Sequence, residues 1–249
     1  MQPPVFHAPP ERIHDDLIDL PAAEARHALK VLRLRRHDQV VVIDGLGVAY
    51  RGRIGSVKRS GAVTVEVLSV TRNYGEPAVN LTLAAALSTG AKFDTIVQKG
   101  TELGVKRFVP LLSEKSRVKL DDPRRAENRR KRLEKVALAA AKQCRRAFRP
   151  YVCSPVTFAE FLGETDPASL NLAFHPGPGG AALASVVPDP PPDRAVLLVG
   201  PESGFSDTEV QAARSGGYTV VGLGRRILRA ETAAPAVCAL LMDRLGELT

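Results

Sequence analysis

The sequence predicts an α/β protein with a mostly parallel sheet, preceded by a small β-barrel. Three observations carry that expectation. Beyond residue 78, apolar runs of strand length alternate with helix-like segments, the pattern of βα units. Before residue 72, short β-rich runs follow one another with little helix between them. Residues 71–77 are polar and contain Gly75 and Pro77, so they read as a linker. The expected domains are therefore 1–72 and 78–249.

In the first domain, residues 19–33 read as a short amphipathic helix, with Ala25, Ala28, Leu29 and Leu32 at helical spacing. Residues 39–43 form a strand candidate ending at the turn signal Asp44-Gly45. Two more strands, 50–57 and 62–70, meet at Arg59-Ser60-Gly61, and Val63, Val65 and Val67 alternate along the second. In the second domain, 79–87 is a buried-strand run. Ser88-Thr89 is a candidate cap for a helix over 91–103, and Gly104 is its candidate C-cap. A strand at 107–112 follows. Residues 124–149 form a long helical pattern with a dense basic face at Arg129, Arg130, Lys131, Arg132 and Lys135. Strands at 151–154 and 170–174 come next, the latter ending in His175-Pro176, then a turn at 177–180 and a proline-rich surface loop at 188–192.

The last quarter holds two loops of similar construction. Each follows an apolar run, 195–199 or 218–223, and each leads into a helical pattern, 207–214 or 231–245. Both read as turns at the C-terminal ends of adjacent parallel strands, where open α/β sheets bind ligands. The first is Gly200-Pro201-Glu202-Ser203-Gly204-Phe205-Ser206. Its glycines permit close backbone approach, and Ser206 with Glu209 makes a capping box. The second crowds Arg225, Arg226 and Arg229 against Glu231, a set suited to an anionic partner or simply to solvent. In the last helix Ala233, Val237, Leu240, Leu241 and Leu245 form an apolar stripe, and Pro235 is expected in the first turn.

Composition narrows the function class. The net charge of +8 favours a polyanionic partner. Aromatic content of 5% without Trp argues against a broad base-stacking platform, leaving phosphate contacts and shape to carry affinity. No apolar run approaches the ~20 residues of a membrane span. The start lacks a basic segment followed by an apolar one, so no signal peptide is expected. Three cysteines without ligand spacing point to reduced thiols, no metal and a cytoplasmic location. A nicotinamide-binding reading fails, because no Gly-x-Gly-x-x-Gly follows an early strand.

These motifs together resemble the 16S ribosomal RNA (uracil-N3)-methyltransferase family of the SPOUT class. The resemblance rests on Gly200–Ser206 and on Leu223-Gly224-Arg225-Arg226-Ile227-Leu228-Arg229-Ala230-Glu231-Thr232-Ala233. It extends to Lys99-Gly100-Thr101-Glu102-Leu103-Gly104-Val105, to Ser113-Glu114-Lys115-Ser116 and to Gln143, Cys144 and Arg146. Near the start, His27 and Val31-Leu32-Arg33-Leu34 resemble the family's PUA-like RNA-binding domain. Three departures stand out: Ser203 and Lys142 where the family has Gly and Glu, and Val5 where it often has Arg.

The resemblance implies a SPOUT methyltransferase domain with a C-terminal trefoil knot, working as a homodimer with S-adenosyl-L-methionine. The implied reaction methylates N3 of a uridine in the 16S rRNA decoding-centre helix of the small ribosomal subunit. His175, Leu198, Gly200, Pro201, Glu202, Gly204, Leu223, Gly224, Arg226, Ile227, Leu228 and Thr232 are then expected to hold the cofactor. Arg33, Arg35, Arg36, Lys99, Arg117, Arg145 and Arg146 are expected to face RNA. Arg229 is the expected cation near a uracil carbonyl, and Glu231 either accepts the N3 proton or holds Arg229. Ribose 2′-O-methylation on the same fold and a non-catalytic RNA-binding relic are the competing readings.

Overall fold

The computed structural model describes residues 2–88, 91–116, 122–176 and 179–248. The chain divides into two compact units, Met1–Glu76 with Leu138–Arg149, and Pro77–Ala137 with Pro150–Thr249. The first unit thus takes in Leu138–Arg149, which the expected linear boundary assigned to the second domain.

The first unit is a six-stranded sheet. Its strands are β1 (Val5–His7), β2 (Ile13–His14), β3 (Leu17–Asp19), β4 (Gln39–Ile43), β5 (Val48–Val57) and β6 (Val63–Arg72). They lie in the order β1-β4-β5-β6-β3-β2, antiparallel except for the β1–β4 pair. The helix α1 (Ala22–Arg26) starts after Pro21, later than the expected residue 19, and runs on as a π-helical turn over His27–Val31. The alternating inward residues, among them Phe6, Ile18, Val40, Val42, Ile54 and Val65, fill the barrel core. A bulge falls at Arg51/Gly52, where a Cβ on Gly52 would lie 2.3 Å from the Glu66 carbonyl oxygen.

The second unit is a parallel sheet with helices. In chain order it has β7 (Asn80–Ala86), α2 (Lys92–Glu102), β8 (Arg107–Leu112), α3 (Pro123–Cys144), β9 (Tyr151–Val152), β10 (Val156–Thr157) and α4 (Phe158–Gly163). Then come β11 (Leu170–Phe174), β12 (Arg194–Val199), α5 (Asp207–Ser215), β13 (Thr219–Val221) and α6 (Ala230–Arg244). The sheet order is β10-β8-β7-β12-β11-β13, with β9 also on β8, and every pairing is parallel. One expectation is corrected here. The strands before the two motif loops, β12 and β13, are not neighbours, because β11 lies between them.

Other local readings shift for identifiable reasons. The long helix stops at Cys144 rather than at 149, since Arg145 takes the left-handed conformation at φ 64°. Ala91 is the N-cap of α2, without a side-chain cap; Thr89 lies outside the described residues. Pro235 sits inside α6, beyond its first turn, so the carbonyl of Glu231 loses a helical donor. Leu240, placed on the buried stripe from its spacing, is 49% exposed, and α6 instead buries Ala230, Ala233, Ala234, Val237, Cys238, Leu241 and Met242. Those residues join Leu81, Leu83, Phe93, Ile96 and Phe108 in the main core. Gly104 closes α2 at φ 91°, as its position after Leu103 suggested.

Candidate active site

Parallel strands deliver their loops to one edge of the sheet. The ends of β11, β12 and β13 therefore bring together His175-Pro176, Val199–Gly204 and Leu223–Leu228. The position of β11 between the other two explains why His175 belongs to the site. His175 also donates its backbone N–H to the Val221 carbonyl at 3.1 Å. These loops line a cleft whose walls are Phe174, His175, Pro176, Val199, Gly200, Pro201, Glu202, Gly204, Leu223, Gly224, Arg226, Leu228 and Ala233. Of the residues expected at the cofactor, Leu198 is fully buried in the strand below, while Ile227 lines an adjoining broader cleft and is 73% exposed. Thr232 donates its amide to Arg229 in the first turn of α6.

The first loop is held by the capping box of α5. Glu209 is buried, and its two carboxylate oxygens accept from the amides of Glu114 and Ser206, both at 2.9 Å. Ser206 Oγ accepts from the Glu209 amide at 3.1 Å. Lys115 Nζ donates to the carbonyls of Phe205 at 3.0 Å and Ser203 at 3.5 Å. The Ser113–Ser116 segment is thereby fastened to the first motif loop. Gly204 is at φ 71°, with His175 Cε1 only 3.0 Å from where a Cβ would stand. Ser203 is not among the non-glycine residues at positive φ, so replacing the family's glycine there carries no left-handed strain.

The second loop is different. Among the described residues, no backbone hydrogen bond engages the amides of Leu223, Gly224, Ile227 or Leu228. The Nδ1 atom of His175 is likewise buried without a hydrogen-bond partner. Burial, with Lys115 nearby, pulls the His175 pKa below its ordinary value, which favours a neutral imidazole. Apolar walls beside amide donors that no described backbone carbonyl engages fit an adenosyl group, whose heterocycle needs both.

A residue missed from sequence stands at the mouth. Lys92, at the start of α2, donates to Glu202 Oε1 at 2.5 Å and lies 3.8 Å from Glu231 Oε2. That Glu231 oxygen is buried and has no hydrogen bond among the described residues. Hydrogen bonding to Glu202 holds the Lys92 pKa above its ordinary value. No ion pair joins Arg229 to Glu231 among the described residues; Glu231 faces Lys92 instead. Arg229 is the N-cap of α6, exposed and close enough to Lys92 to oppose its charge. Nothing in the sequence marked Lys92, since its partners lie more than a hundred residues away.

The expected RNA-facing residues divide. Arg33, Arg35 and Arg36 form an exposed turn, with Arg33 at φ 55° and the Arg35 amide bonded to Asp38 at 2.6 Å. Lys99 is exposed and chelates Glu102 at 2.9 and 3.0 Å. Arg145 reaches the Pro3 carbonyl at 2.9 Å. Arg117 lies outside the described residues. Arg146 corrects the expectation: it is 3% exposed and paired with Glu76 at 2.8 Å, so it holds the first unit together rather than presenting charge to a ligand. Lys142, the departure from the family's Glu, pairs with Glu24 at 2.5 Å inside the first unit. Much of the basic face of α3 is also neutralised locally. Arg130 grips Glu127 and Glu134, which pulls Glu127 down to about 2, and Arg132 pairs with Asp94. Among the described residues, no cluster of His, Cys, Asp or Glu could hold a metal ion, and no helix is long and apolar enough to cross a membrane.

The fold and the site define an RNA methyltransferase of the SPOUT class. The RNA methyltransferase domain family matches residues 75–242, and the RNA methyltransferase PUA domain family matches residues 20–68. The ribosomal RNA small subunit methyltransferase E of a Synechocystis species is 32% identical over 96% of this chain and 76% of its own length. Its Bacillus subtilis counterpart is also 32% identical, over 84% of this chain and 83% of its own. The crystal structure of a ribosomal RNA small subunit methyltransferase E from Neisseria gonorrhoeae, bound to S-adenosyl methionine, superposes with a TM-score of 0.87 at 30% identity, covering 98% of both chains. The chain belongs to the ribosomal RNA small subunit methyltransferase E family.

Proposed function

We propose that this chain methylates N3 of a specific uridine in the decoding-centre helix of 16S rRNA, as a cytoplasmic homodimer acting on the small ribosomal subunit. The observation that carries the reading is the cleft between the two motif loops, with apolar walls and four amides that no backbone bond engages among the described residues. When bound, S-adenosylmethionine supplies an electrophilic methyl group on a sulfonium. The protein must then bind, orient and manage a proton. His175, Gly200, Pro201, Gly204, Leu223, Gly224, Arg226 and Leu228 line the cleft and hold the cofactor. Glu202 also lines it, Leu198 supports it from below, Ile227 lines the adjoining cleft, and Thr232 lies in the first turn of α6.

Uracil N3 carries a proton at neutral pH, so methylation needs an acceptor for that proton and a cation for the charge left on the carbonyls. Arg229 supplies positive charge at the mouth. Glu231 acts through Lys92, which it faces at 3.8 Å. Arg33, Arg35 and Arg36 meet RNA phosphates, joined by Lys99, Arg117 and Arg145. Removing the three arginines of the barrel turn should lower the salt dependence of RNA binding by a slope of about 2.

The test is transfer of labelled methyl from S-adenosylmethionine to small subunits from a strain lacking the gene, followed by nucleoside analysis. The expected product is 3-methyluridine in 16S rRNA. A 2′-O-methylated nucleoside overturns the N3 assignment and leaves the fold in place. Cofactor binding without transfer to any ribosomal RNA points to an RNA-binding relic.

A further inference from the structure

A second cleft lies on the other side of the Pro201–Glu202 turn. It has a volume of about 270 Å³, and Ser88, Lys92, Lys115, Pro201 and Glu202 are among its walls. Pro201 and Glu202 also line the cofactor cleft, so one turn separates the two spaces. A methyl donor and its acceptor need that kind of adjacency.

We propose that this polar cleft reads the imide edge of the target uracil, with Glu202 accepting from N3–H and the Lys92 and Lys115 ammonium groups donating to the flanking carbonyls. The inference rests on the function proposed above. Uracil presents acceptor, donor, acceptor along its Watson–Crick edge, so the complementary wall must present donor, acceptor, donor. Lys92, bonded to Glu202, and Lys115, which lines the same cleft, carry the groups for that order. Each ammonium has three N–H donors. Lys92 directs one to Glu202, and Lys115 directs two to the carbonyls of Ser203 and Phe205. The described contacts therefore leave two donors on Lys92 and one on Lys115. A carboxylate offers about four lone-pair sites, so Glu202 can bond Lys92 and a base together.

The surroundings favour a ligand with this pattern. Ser88 Oγ, in the wall, is buried without a hydrogen bond among the described residues. Arg129 Nη2 donates to the Ser88 carbonyl at 2.7 Å, placing a further cation behind the cleft. Glu231, 3.8 Å from Lys92, keeps that ammonium in place beside Glu202. In the reaction the N3 proton passes to the Glu202 carboxylate as N3 takes the methyl carbon. The electron pair of the broken methyl–sulfur bond remains on the thioether. Cytosine presents donor, acceptor, acceptor, which sets its N3 lone pair against the carboxylate and its amino group against an ammonium. The cleft therefore selects uracil by mismatch as well as by match.

The first test uses the full chain without cofactor. Uridine, cytidine and their 5′-monophosphates are titrated by heteronuclear NMR, with inorganic phosphate as competitor. Uridine is expected to bind at least about fivefold more tightly than cytidine, and Glu202→Gln is expected to erase that preference. Equal binding of the two nucleosides, absence of uridine binding, or displacement of uridine by phosphate each overturns the proposal; the last identifies a phosphate site. The second test is kinetic. Glu202→Gln should lower kcat at least about 100-fold, with the KM for RNA and the cofactor Kd within about threefold. RNA containing 5-fluorouracil, whose N3 proton is more acidic, should restore part of that rate. An unchanged kcat, or a loss the fluorinated RNA does not relieve, overturns the proton role. If the wild type makes no 3-methyluridine, the proposed function fails, while the uridine–cytidine comparison still decides what the cleft reads.

Discussion

The two motif loops sit on the same edge of one sheet and are built in opposite ways. The loop after β12 is tied down from several directions, by the buried Glu209 carboxylate, by Lys115 on its carbonyls and by Lys92 on Glu202. Beyond Gly222, which donates to the Ala181 carbonyl, the loop after β13 has no comparable ties among the described residues; Gly224, Arg225, Arg226 and Ile227 are exposed, and no described backbone carbonyl engages the amides of Leu223, Gly224, Ile227 or Leu228. One loop is finished before a ligand arrives. The other keeps its donors for the ligand and loses conformational freedom on binding. On the function proposed above, the tied loop would fix where the methyl group is offered, and the other would supply amides to the molecule that carries it.

This contrast is sharpest in stability. Glu209→Ala strips the acceptor from two amides and opens a gap beneath the first loop. We expect a loss of about 3 kcal/mol in urea denaturation. Arg226→Ala in the second loop should change stability by less than about 0.5 kcal/mol. A loss below about 1 kcal/mol from Glu209→Ala would mean that the first loop is not held in the way described.

Glycine substitutions separate the loops again, through cofactor affinity. Gly204→Ala adds a Cβ at positive φ, 3.0 Å from His175 Cε1 and 3.1 Å from Pro176 Cδ. The strain and the displaced His175-Pro176 segment together should weaken S-adenosylmethionine binding by about 30-fold, near 2 kcal/mol, and lower the melting temperature as well. Gly224 is also at positive φ, 83°, but nothing lies within 4 Å of its missing Cβ. Gly224→Ala therefore carries the left-handed strain alone, about 1 kcal/mol, and should weaken binding by only about fivefold. Calorimetric titration of both variants decides; equal losses in affinity would erase the distinction between a crowded loop and an open one.

The legible parts of this molecule are the local ones. Strands β8 and β11 match the apolar runs at 107–112 and 170–174, because a buried parallel strand is continuously apolar. The Ser206–Glu209 box was readable because its chemistry is contained in four residues. The same signature at Thr157 and Glu160 caps α4, a short helix that the apolar pattern did not reveal. Strands β1 to β3, of two or three residues, are too short to show a period. What sequence could not show is non-local. The insertion of β11 between β12 and β13 is a matter of strand order. Lys92 meets Glu202 and Glu231 from far along the chain, and Arg146 finds Glu76 seventy residues away. A basic residue in a basic stretch looks like surface until its carboxylate is located. Threading of the chain through a loop leaves no mark on periodicity at all.

The smallest effect we expect concerns protons. His175 in the site and His7 in the first unit both have pKa values lowered chiefly by burial. For His175 the field of Lys115 adds to burial and that of Arg214 does so more weakly, while Asp207 opposes them. A histidine whose native pKa lies below its unfolded value binds fewer protons when folded. Its contribution to stability is complete above the unfolded value near 6.5 and is lost as pH falls through the native one. Stability should therefore decline between pH 7.5 and pH 5.5. His175→Gln and His7→Gln should each flatten part of that slope, and together they should remove the histidine share. Urea denaturation at both pH values measures it, and NMR titration of the two imidazoles assigns it. A His175 midpoint above 6.5 would mean that burial and Lys115 do not set its titration, and the end of β11 would then bring a partly cationic imidazole to an already cationic ligand.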